Sequence, residues 1–167
     1  MKKLLLTAAC SIFLISSYSQ SRENIKSQGT LEEQNKEYVR NYFSELGKTR
    51  SDDLAEFVER HFSPDFILHL PGEEIRGMEG LEKHYANSMA AFPDAVQTIQ
   101  DVLAEGNKVA FRGVLKIVLP NAKELNVTFV GFWNIQNGKI VEWWSEYDAL
   151  GMMQQLGMEL QQKDSSL

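Results

Sequence analysis

The spacing of apolar residues along the chain changes near residue 95. Before that point, apolar side chains recur every three or four positions, which is the period of one helix face. Thr30-Leu31-Glu32-Glu33 fits a capping box, so a first helix is predicted from there to Gly47. Ser51, followed by two aspartates, begins a second helix, and a third is predicted over residues 78–91, where Phe92-Pro93-Asp94 stops it.

After residue 95, apolar and polar residues alternate, as in half-buried strands. Turn residues divide this part into four predicted strands, over residues 95–104, 108–118, 125–135 and 139–148. Two shorter extended pieces are predicted earlier, over residues 66–70 and 74–76. Helices followed by a meander predict one α+β domain over residues 30–158, with the N-terminal helices packed on a curved antiparallel sheet.

The first nineteen residues have the layout of an export signal. Lys2 and Lys3 are basic, residues 4–15 are mostly apolar, and Ser17-Tyr18-Ser19 is a plausible cleavage site. The apolar stretch is shorter than the roughly 20 residues that span a bilayer, which disfavours a membrane anchor. We therefore expect a signal peptide, export to the periplasm or the extracellular space, and a flexible linker over residues 20–29. Lipidation of Cys10 is a further alternative, disfavoured because the apolar run continues beyond it.

Composition narrows the choice of partners. The net charge is −6, and loss of Lys2 and Lys3 with the signal would make it −8. Such an acidic chain is a poor partner for nucleic acid or, after cleavage, for anionic membranes. Cys10 is the single cysteine, so the mature chain would have no disulfide and its core alone must stabilise it. Residues 159–167 are predicted to form a polar C-terminal tail.

The last predicted strand divides its side chains between two faces. Trp143, Ser145 and Tyr147 share one face with Val141, and Glu142, Trp144, Glu146 and Asp148 share the other. The first face is the better candidate for a cavity lining, although buried aromatic residues are often only core. A two-residue loop at Asn137-Gly138 would place Phe132 opposite Trp143. A three-residue loop with a bulge at Gly138 would instead bring Phe129, Gly131 and Trp133 to that face.

Three segments together resemble the SnoaL-like polyketide cyclases, which share the cone-shaped fold of nuclear transport factor 2. They are Phe129 to Gly157, the AFPD segment at residues 91–94 and the AEGNKVAFRG segment at residues 104–113. The resemblance implies a cone-shaped α+β barrel with a ligand-sized pocket and no metal or cofactor. It also favours the bulged register, because family members carry polar pocket residues at the positions of Phe129 and Gly131.

In the characterised cyclases, an aspartate on the last strand is the general acid/base of an intramolecular aldol closure. The resemblance assigns Ser145 to that position, and a serine hydroxyl cannot abstract a carbon-bound proton unless another base activates it. His69 is the best alternative proton carrier, and the resemblance implies a place at the pocket mouth. Glu146 is adjacent to Ser145 but should face away from it, and Arg112 could bind an enolate or carboxylate or simply lie on the outer sheet face.

Two classes of function remain open at this stage. The first is a cofactor-free cyclase, isomerase or hydrolase using His69 or Glu146. The second is a non-catalytic binder that holds an apolar or aromatic small molecule through Phe129, Trp133, Trp143 and Tyr147. A homodimer formed through the sheet is an additional possibility. The sequence contains no phosphate-binding loop, no nucleophile elbow and no metal-ligand spacing, so no cofactor is expected.

Overall fold

A computed structural model describes residues 29–159 and residue 161 of the chain. The predicted signal peptide and most of the predicted linker and C-terminal tail lie outside the described residues. The helices are α1 (Leu31–Leu46), α2 (Leu54–His61), α3 (Gly77–Ala91) and α4 (Ala149–Gln155). The strands are β1 (Phe62–Leu70), β2 (Glu73–Arg76), β3 (Val96–Glu105), β4 (Lys108–Val118), β5 (Glu124–Gln136) and β6 (Lys139–Tyr147).

The first helix begins where its capping signal predicts. The Thr30 hydroxyl accepts a hydrogen bond from the Glu33 backbone N–H at 3.3 Å. The Glu33 carboxylate pairs with Lys36 at 2.7 Å, one turn along the helix. Glu32 and Glu33 in the first turn also complement the positive end of the helix dipole. The start of α1 therefore agrees with the local sequence signal.

The six strands form one open, curved sheet in the order β2-β1-β6-β5-β4-β3. The predicted α+β class is confirmed, and the consecutive pairs from β3 to β6 are antiparallel as expected. The sheet is not wholly antiparallel, because β1 pairs in parallel with β6. This pairing places β1, which directly follows α2, beside β6, the last strand in the chain.

The hairpin between β5 and β6 combines parts of both predicted registers. Asn137 and Gly138 have φ of 51° and 74°, as in a two-residue type I′ loop, and Gln136 pairs with Lys139. A bulge then follows, because Ile135 pairs with Ile140 and Asn134 pairs with Glu142. Val141 is the extra residue, so it leaves the predicted alternation. The bulge places Trp133 opposite Trp143, which brings Phe129, Gly131 and Trp133 to the same face as Ser145.

The core lies between the helices and the concave face of the sheet, called here the inner face. Helix α1 contributes Val39, Tyr42 and Phe43, and α2 contributes Phe57 and Val58, all of which are buried. The strands contribute further buried residues, among them Leu68, Val109, Phe111, Phe129, Trp133, Ile140 and Trp143. The helices thus cover the face on which the predicted cavity residues lie. The opposite, convex face is called the outer face.

Candidate functional site

Aromatic side chains dominate the inner face of β4, β5 and β6. Trp133 and Trp143 lie opposite each other, with ring centroids 5.5 Å apart at an interplanar angle of 76°. Trp133 is fully buried and Trp143 is 7% exposed. Tyr42 of α1 packs on both, at 4.9 Å and 6.2 Å between ring centroids. We call Trp133, Trp143, Tyr42, Phe111 and Phe129 the aromatic cluster.

Two phenylalanine rings fill space that two glycines leave free. Phe111 lies directly opposite Gly131, and Phe129 lies directly opposite Gly113. A Cβ atom on Gly131 would lie 2.3 Å from the Phe111 ring, and one on Gly113 would lie 2.5 Å from the Phe129 ring. The lack of a side chain at each glycine therefore leaves room for the ring on the neighbouring strand. The predicted pocket positions Phe129 and Gly131 lie on the inner face, where these rings occupy the space beside them.

Ser145 and Tyr147 continue the inner face of β6 beyond the tryptophans. Ser145 lies opposite Gly131 and is half-buried, and Tyr147 lies opposite Phe129 and is exposed. The Ser145 hydroxyl makes no hydrogen bond to any other described residue. None of the inner-face side chains of β5 and β6 is charged. This stretch of sheet therefore offers aromatic surface and hydroxyl groups, but no carboxylate.

Three other predicted site residues lie away from the inner face. Leu68 pairs with Trp143, so its neighbour His69 points to the outer face and not to the inner face on which Trp143 lies. The His69 ring stacks on Trp144 with centroids 3.8 Å apart. Its Nδ1 and Nε2 atoms each lie 3.2 Å from a carboxylate oxygen, of Glu74 and Glu142 respectively. His69 is therefore a sheet-surface residue in this structure.

Glu146 and Arg112 also belong to the outer face. Glu146 is exposed and pairs across the sheet with Val130, as its alternation with Ser145 predicts. The Arg112 Nε donates to Asp101 at 2.8 Å, and both side chains are more than half exposed. An arginine held by a carboxylate on the outer face cannot reach a ligand at Trp143. Of the two positions considered for Arg112, the outer sheet face is the one that the structure shows.

A buried histidine that sequence reasoning passed over connects α1 and α2. His61 Nδ1 lies 3.0 Å from the Tyr38 hydroxyl, and His61 Nε2 lies 3.1 Å from Glu45 Oε2. Burial lowers the pKa of His61, although the Glu45 carboxylate acts in the opposite direction. The Tyr38 ring contacts Trp133 at 6.1 Å between centroids. The sequence signal was that Tyr38 and Tyr42 lie on the apolar stripe of one helix and His61 on that of the next. This spacing predicts that the side chains are buried, but it does not predict that His61 bonds to Tyr38.

The aromatic cluster contains polar atoms that lack partners. The Nε1 atoms of Trp133 and Trp143 are buried and make no hydrogen bond. The hydroxyls of Tyr42 and Tyr85 bond to each other, and burial raises the pKa of both. An unsatisfied buried donor costs about 1–3 kcal/mol, so native structures retain few of them.

Two surface depressions lie elsewhere on the domain. One is bordered by Glu45, Glu56 and Arg60 between α1 and α2, and the other by Glu74, Lys83 and His84 beside β2. Charged side chains make up at least half of the lining of each, and neither includes a residue of β5 or β6. Neither therefore resembles a site for an apolar ligand. The aromatic cluster remains the candidate site.

Comparison with known proteins agrees with this arrangement. A sequence profile of the SnoaL-like polyketide cyclases matches residues 48–156, which is more than half of the chain. The chain belongs to the SnoaL-like polyketide cyclase family. No curated protein matches the sequence.

Solved structures give the same fold for this SnoaL-like chain. IdmH from Streptomyces antibioticus, a proposed polyketide cyclase, is 27% identical, with a TM-score of 0.63 over 73% of this chain and 97% of that one. A proposed SnoaL-like polyketide cyclase from Jannaschia sp. CCS1 is 21% identical, with a TM-score of 0.67 over 79% and 97% of the two chains. A nuclear transport factor 2-like protein from Burkholderia pseudomallei is 15% identical, with a TM-score of 0.61 over 73% and 96%. The cone-type fold is therefore shared.

Two further properties of the SnoaL-like domain bear on its chemistry. Among the described residues, no group of three or more His, Cys, Asp or Glu side chains is placed to hold a metal ion. Within the same part of the chain, no helix is both long and apolar enough to cross a membrane.

Proposed function

We propose that this SnoaL-like chain binds an apolar or aromatic small molecule at the aromatic cluster and has little aldol-cyclase activity. The observation that carries this proposal is the chemistry of the inner face, where β5 and β6 present aromatic rings and no charged side chain. Apolar lining with a few polar groups is the usual composition of a small-molecule site. Base-catalysed ring closure additionally needs a group that can take a proton from carbon.

Ser145 is the reason for expecting weak catalysis. We infer that it stands where the cyclases carry their acid/base aspartate, and its hydroxyl has no neighbouring base bonded to it among the described residues. The carboxylates of β6, Glu142 and Glu146, lie on the outer face. Loss of a positioned general base lowers a rate by about 10² to 10⁴, which is enough to hide a slow reaction.

Binding can be measured with N-phenyl-1-naphthylamine, a neutral aromatic dye, by energy transfer from tryptophan. We expect Trp143→Phe to weaken dye binding about three- to tenfold, because an aromatic pair is worth about 0.5–1.5 kcal/mol beyond its buried area. Trp144→Phe is the matched control, since it changes the adjacent residue on the outer face. Equal effects of the two substitutions, or no dye binding at all, would contradict the proposal.

Catalysis is tested separately, with polyketide-ester substrates and the natural sequence. We expect no turnover above the uncatalysed rate, and Ser145→Ala should retain dye binding. Robust turnover that is lost in His69→Ala or Glu146→Gln would instead show that the chain is an enzyme and that the substituted residue is its base. The structure disfavours that outcome because both residues lie on the outer face.

Export is the remaining part of the proposal. It rests on the basic, apolar and small-residue order of the first nineteen residues. The intact mass of protein recovered from its native host should correspond to a chain that begins near Gln20. A mass that includes residues 1–19, or a lipid on Cys10, would show that the chain is not processed in this way.

A further inference from the structure

Three side chains where α1 packs on α2 form a line of polar groups: Tyr38, His61 and Glu45. His61 Nδ1 lies 3.0 Å from the Tyr38 hydroxyl oxygen, and His61 Nε2 lies 3.1 Å from Glu45 Oε2. The other carboxylate oxygen of Glu45 pairs with Arg60, which holds the carboxylate in place. A hydroxyl, an imidazole and a carboxylate in this order are the arrangement in which an oriented base activates a nucleophile.

The partners of His61 decide where its proton lies. A carboxylate only accepts hydrogen bonds, so His61 Nε2 carries the proton and donates it to Glu45. In the neutral imidazole, Nδ1 then has a lone pair, and the Tyr38 hydroxyl is the donor that reaches it. The same hydroxyl lies 3.2 Å from the His61 carbonyl oxygen, which is a second and longer acceptor. His61 therefore presents a free base to the proton of Tyr38.

Burial keeps His61 in the form that can accept a proton. His61 is 6% exposed, and burial lowers its pKa; Arg60 and Lys139 act in the same direction and Glu45 acts in the opposite one. Burial also raises the pKa of Tyr38, so its hydroxyl keeps its proton in neutral solution unless a base takes it during a reaction. Tyr38 is half-buried, so it remains partly accessible while its base is shielded from water.

From this geometry we propose that Tyr38 is a nucleophile that takes an acyl group from an activated aryl ester, with His61 as its base and Glu45 as the residue that positions His61. The Tyr38 oxygen attacks the acyl carbon, and His61 Nδ1 takes the hydroxyl proton. The bond between the acyl carbon and the aryl oxygen then breaks, and the aryl oxygen leaves with the proton that His61 has taken. The product is an O-acyl tyrosine, which is separate from ligand binding at the aromatic cluster.

The experiment treats the full chain with p-nitrophenyl acetate and measures acetylation of each tyrosine by peptide mass spectrometry. Tyr147 is the internal control, because it is more exposed than Tyr38 and no described residue is bonded to its hydroxyl. We expect Tyr38 to react at least about tenfold faster than Tyr147 at pH 7.5, because a positioned base contributes about 10²- to 10⁴-fold and partial burial removes some of that gain. His61→Gln should lower the Tyr38 rate at least about tenfold and leave the Tyr147 rate unchanged.

A pH profile separates activation by His61 from accessibility alone. The Tyr38 rate should level off above about pH 6.5, where His61 is neutral, whereas a tyrosine without a base gains about tenfold in phenolate with each pH unit. Glu45→Gln keeps an acceptor for Nε2, so it should lower the Tyr38 rate less than His61→Gln does.

The fully buried Tyr42 reports on folding in every variant. Its acetylation in His61→Gln would show that the substitution unfolds the domain, and the pH profile of the natural chain then decides. A Tyr38 rate below that of Tyr147, a rate unchanged in a folded His61→Gln variant, or a Tyr38 rate that rises tenfold with each pH unit would overturn the inference.

Discussion

At the scale of single residues, the two inner-face glycines show how tightly the site is filled. Gly131→Ala would place a methyl carbon 2.3 Å from the Phe111 ring, so the ring or the strand must move. We expect a loss of about 1–3 kcal/mol in the free energy of unfolding, typical of overpacking a core. Gly47→Ala is the control, because its Cβ would meet nothing closer than 3.5 Å and its φ is −65°. Urea unfolding of both variants measures the difference, and equal midpoints would contradict the prediction.

His61 is expected to make the stability of the domain depend on pH. Burial lowers the pKa of His61 below its ordinary value near 6.5, so the unfolded chain binds a proton more readily than the folded one. The contribution to stability is therefore complete above about pH 6.5 and is lost as the pH falls from there toward the folded pKa. Burial lowers the pKa of His84 in the same direction, so both histidines contribute.

The expected outcome is a steeper loss of stability between pH 7.5 and pH 5.5 in the natural sequence than in His61→Gln. The slope is the measured quantity, because the substitution also removes bonds to Tyr38 and Glu45 and so lowers stability at every pH. His84→Gln should reduce the slope independently. A slope unchanged in His61→Gln would show that the buried histidine does not control the effect.

At the scale of elements, α4 is attached to the sheet by a glutamine side chain that forms two hydrogen bonds with the backbone of β5. Gln155 Oε1 accepts from the Asn126 backbone N–H at 2.9 Å, and Gln155 Nε2 donates to the Asn126 carbonyl at 3.0 Å. Asp148 caps the helix by accepting from the Gly151 N–H at 2.8 Å. The amide of Gln155 thus pairs with the backbone of β5 and attaches α4 to that strand.

Gln155→Ala should loosen α4 without unfolding the domain. Loss of about one net hydrogen bond predicts a roughly fivefold faster hydrogen exchange at the Asn126 amide. The midpoint of global unfolding should change little, because α4 has no buried residue. Gln154→Ala is the matched control, being an exposed glutamine one position earlier on the same helix. Equal exchange in the two variants would show that the side-chain amide does not hold the helix.

Helices and antiparallel strands could be predicted from sequence because their signals are local. Thr30 caps a helix and Asn137-Gly138 forms a turn, and both signals involve only neighbouring residues. The alternation of side chains along β6 correctly assigned Ser145 and Glu146 to opposite faces of the sheet. The parallel pairing of β1 with β6 has no local signal, and it decides which face His69 occupies. The His61 network has the same origin, because it forms only when α1 and α2 pack together. Side chains whose surroundings depend on distant pairing are therefore the ones that local sequence does not place.

At the scale of the whole molecule, the outer face carries an apolar patch that nothing in the described domain covers. Leu103, Val130, Phe132 and Trp144 are each between 39% and 73% exposed. Cross-strand pairing places Phe132 next to Trp144, and Ala110 lies between Phe132 and Leu103. Exposed apolar patches on soluble domains often mark association surfaces. We propose that two copies of the chain pair through this face, which would leave both aromatic clusters free to bind ligand.

The prediction is that Phe132→Arg converts a dimer into a monomer in sedimentation equilibrium at micromolar concentration. A buried arginine without a partner opposes association. Phe92→Arg is the matched control, because Phe92 is also 39% exposed but follows α3 and belongs to no strand. Dye binding at the inner face should survive both substitutions, since the sheet separates it from the outer face. A natural chain that is monomeric at these concentrations, or a dimer that both variants preserve, would exclude this interface.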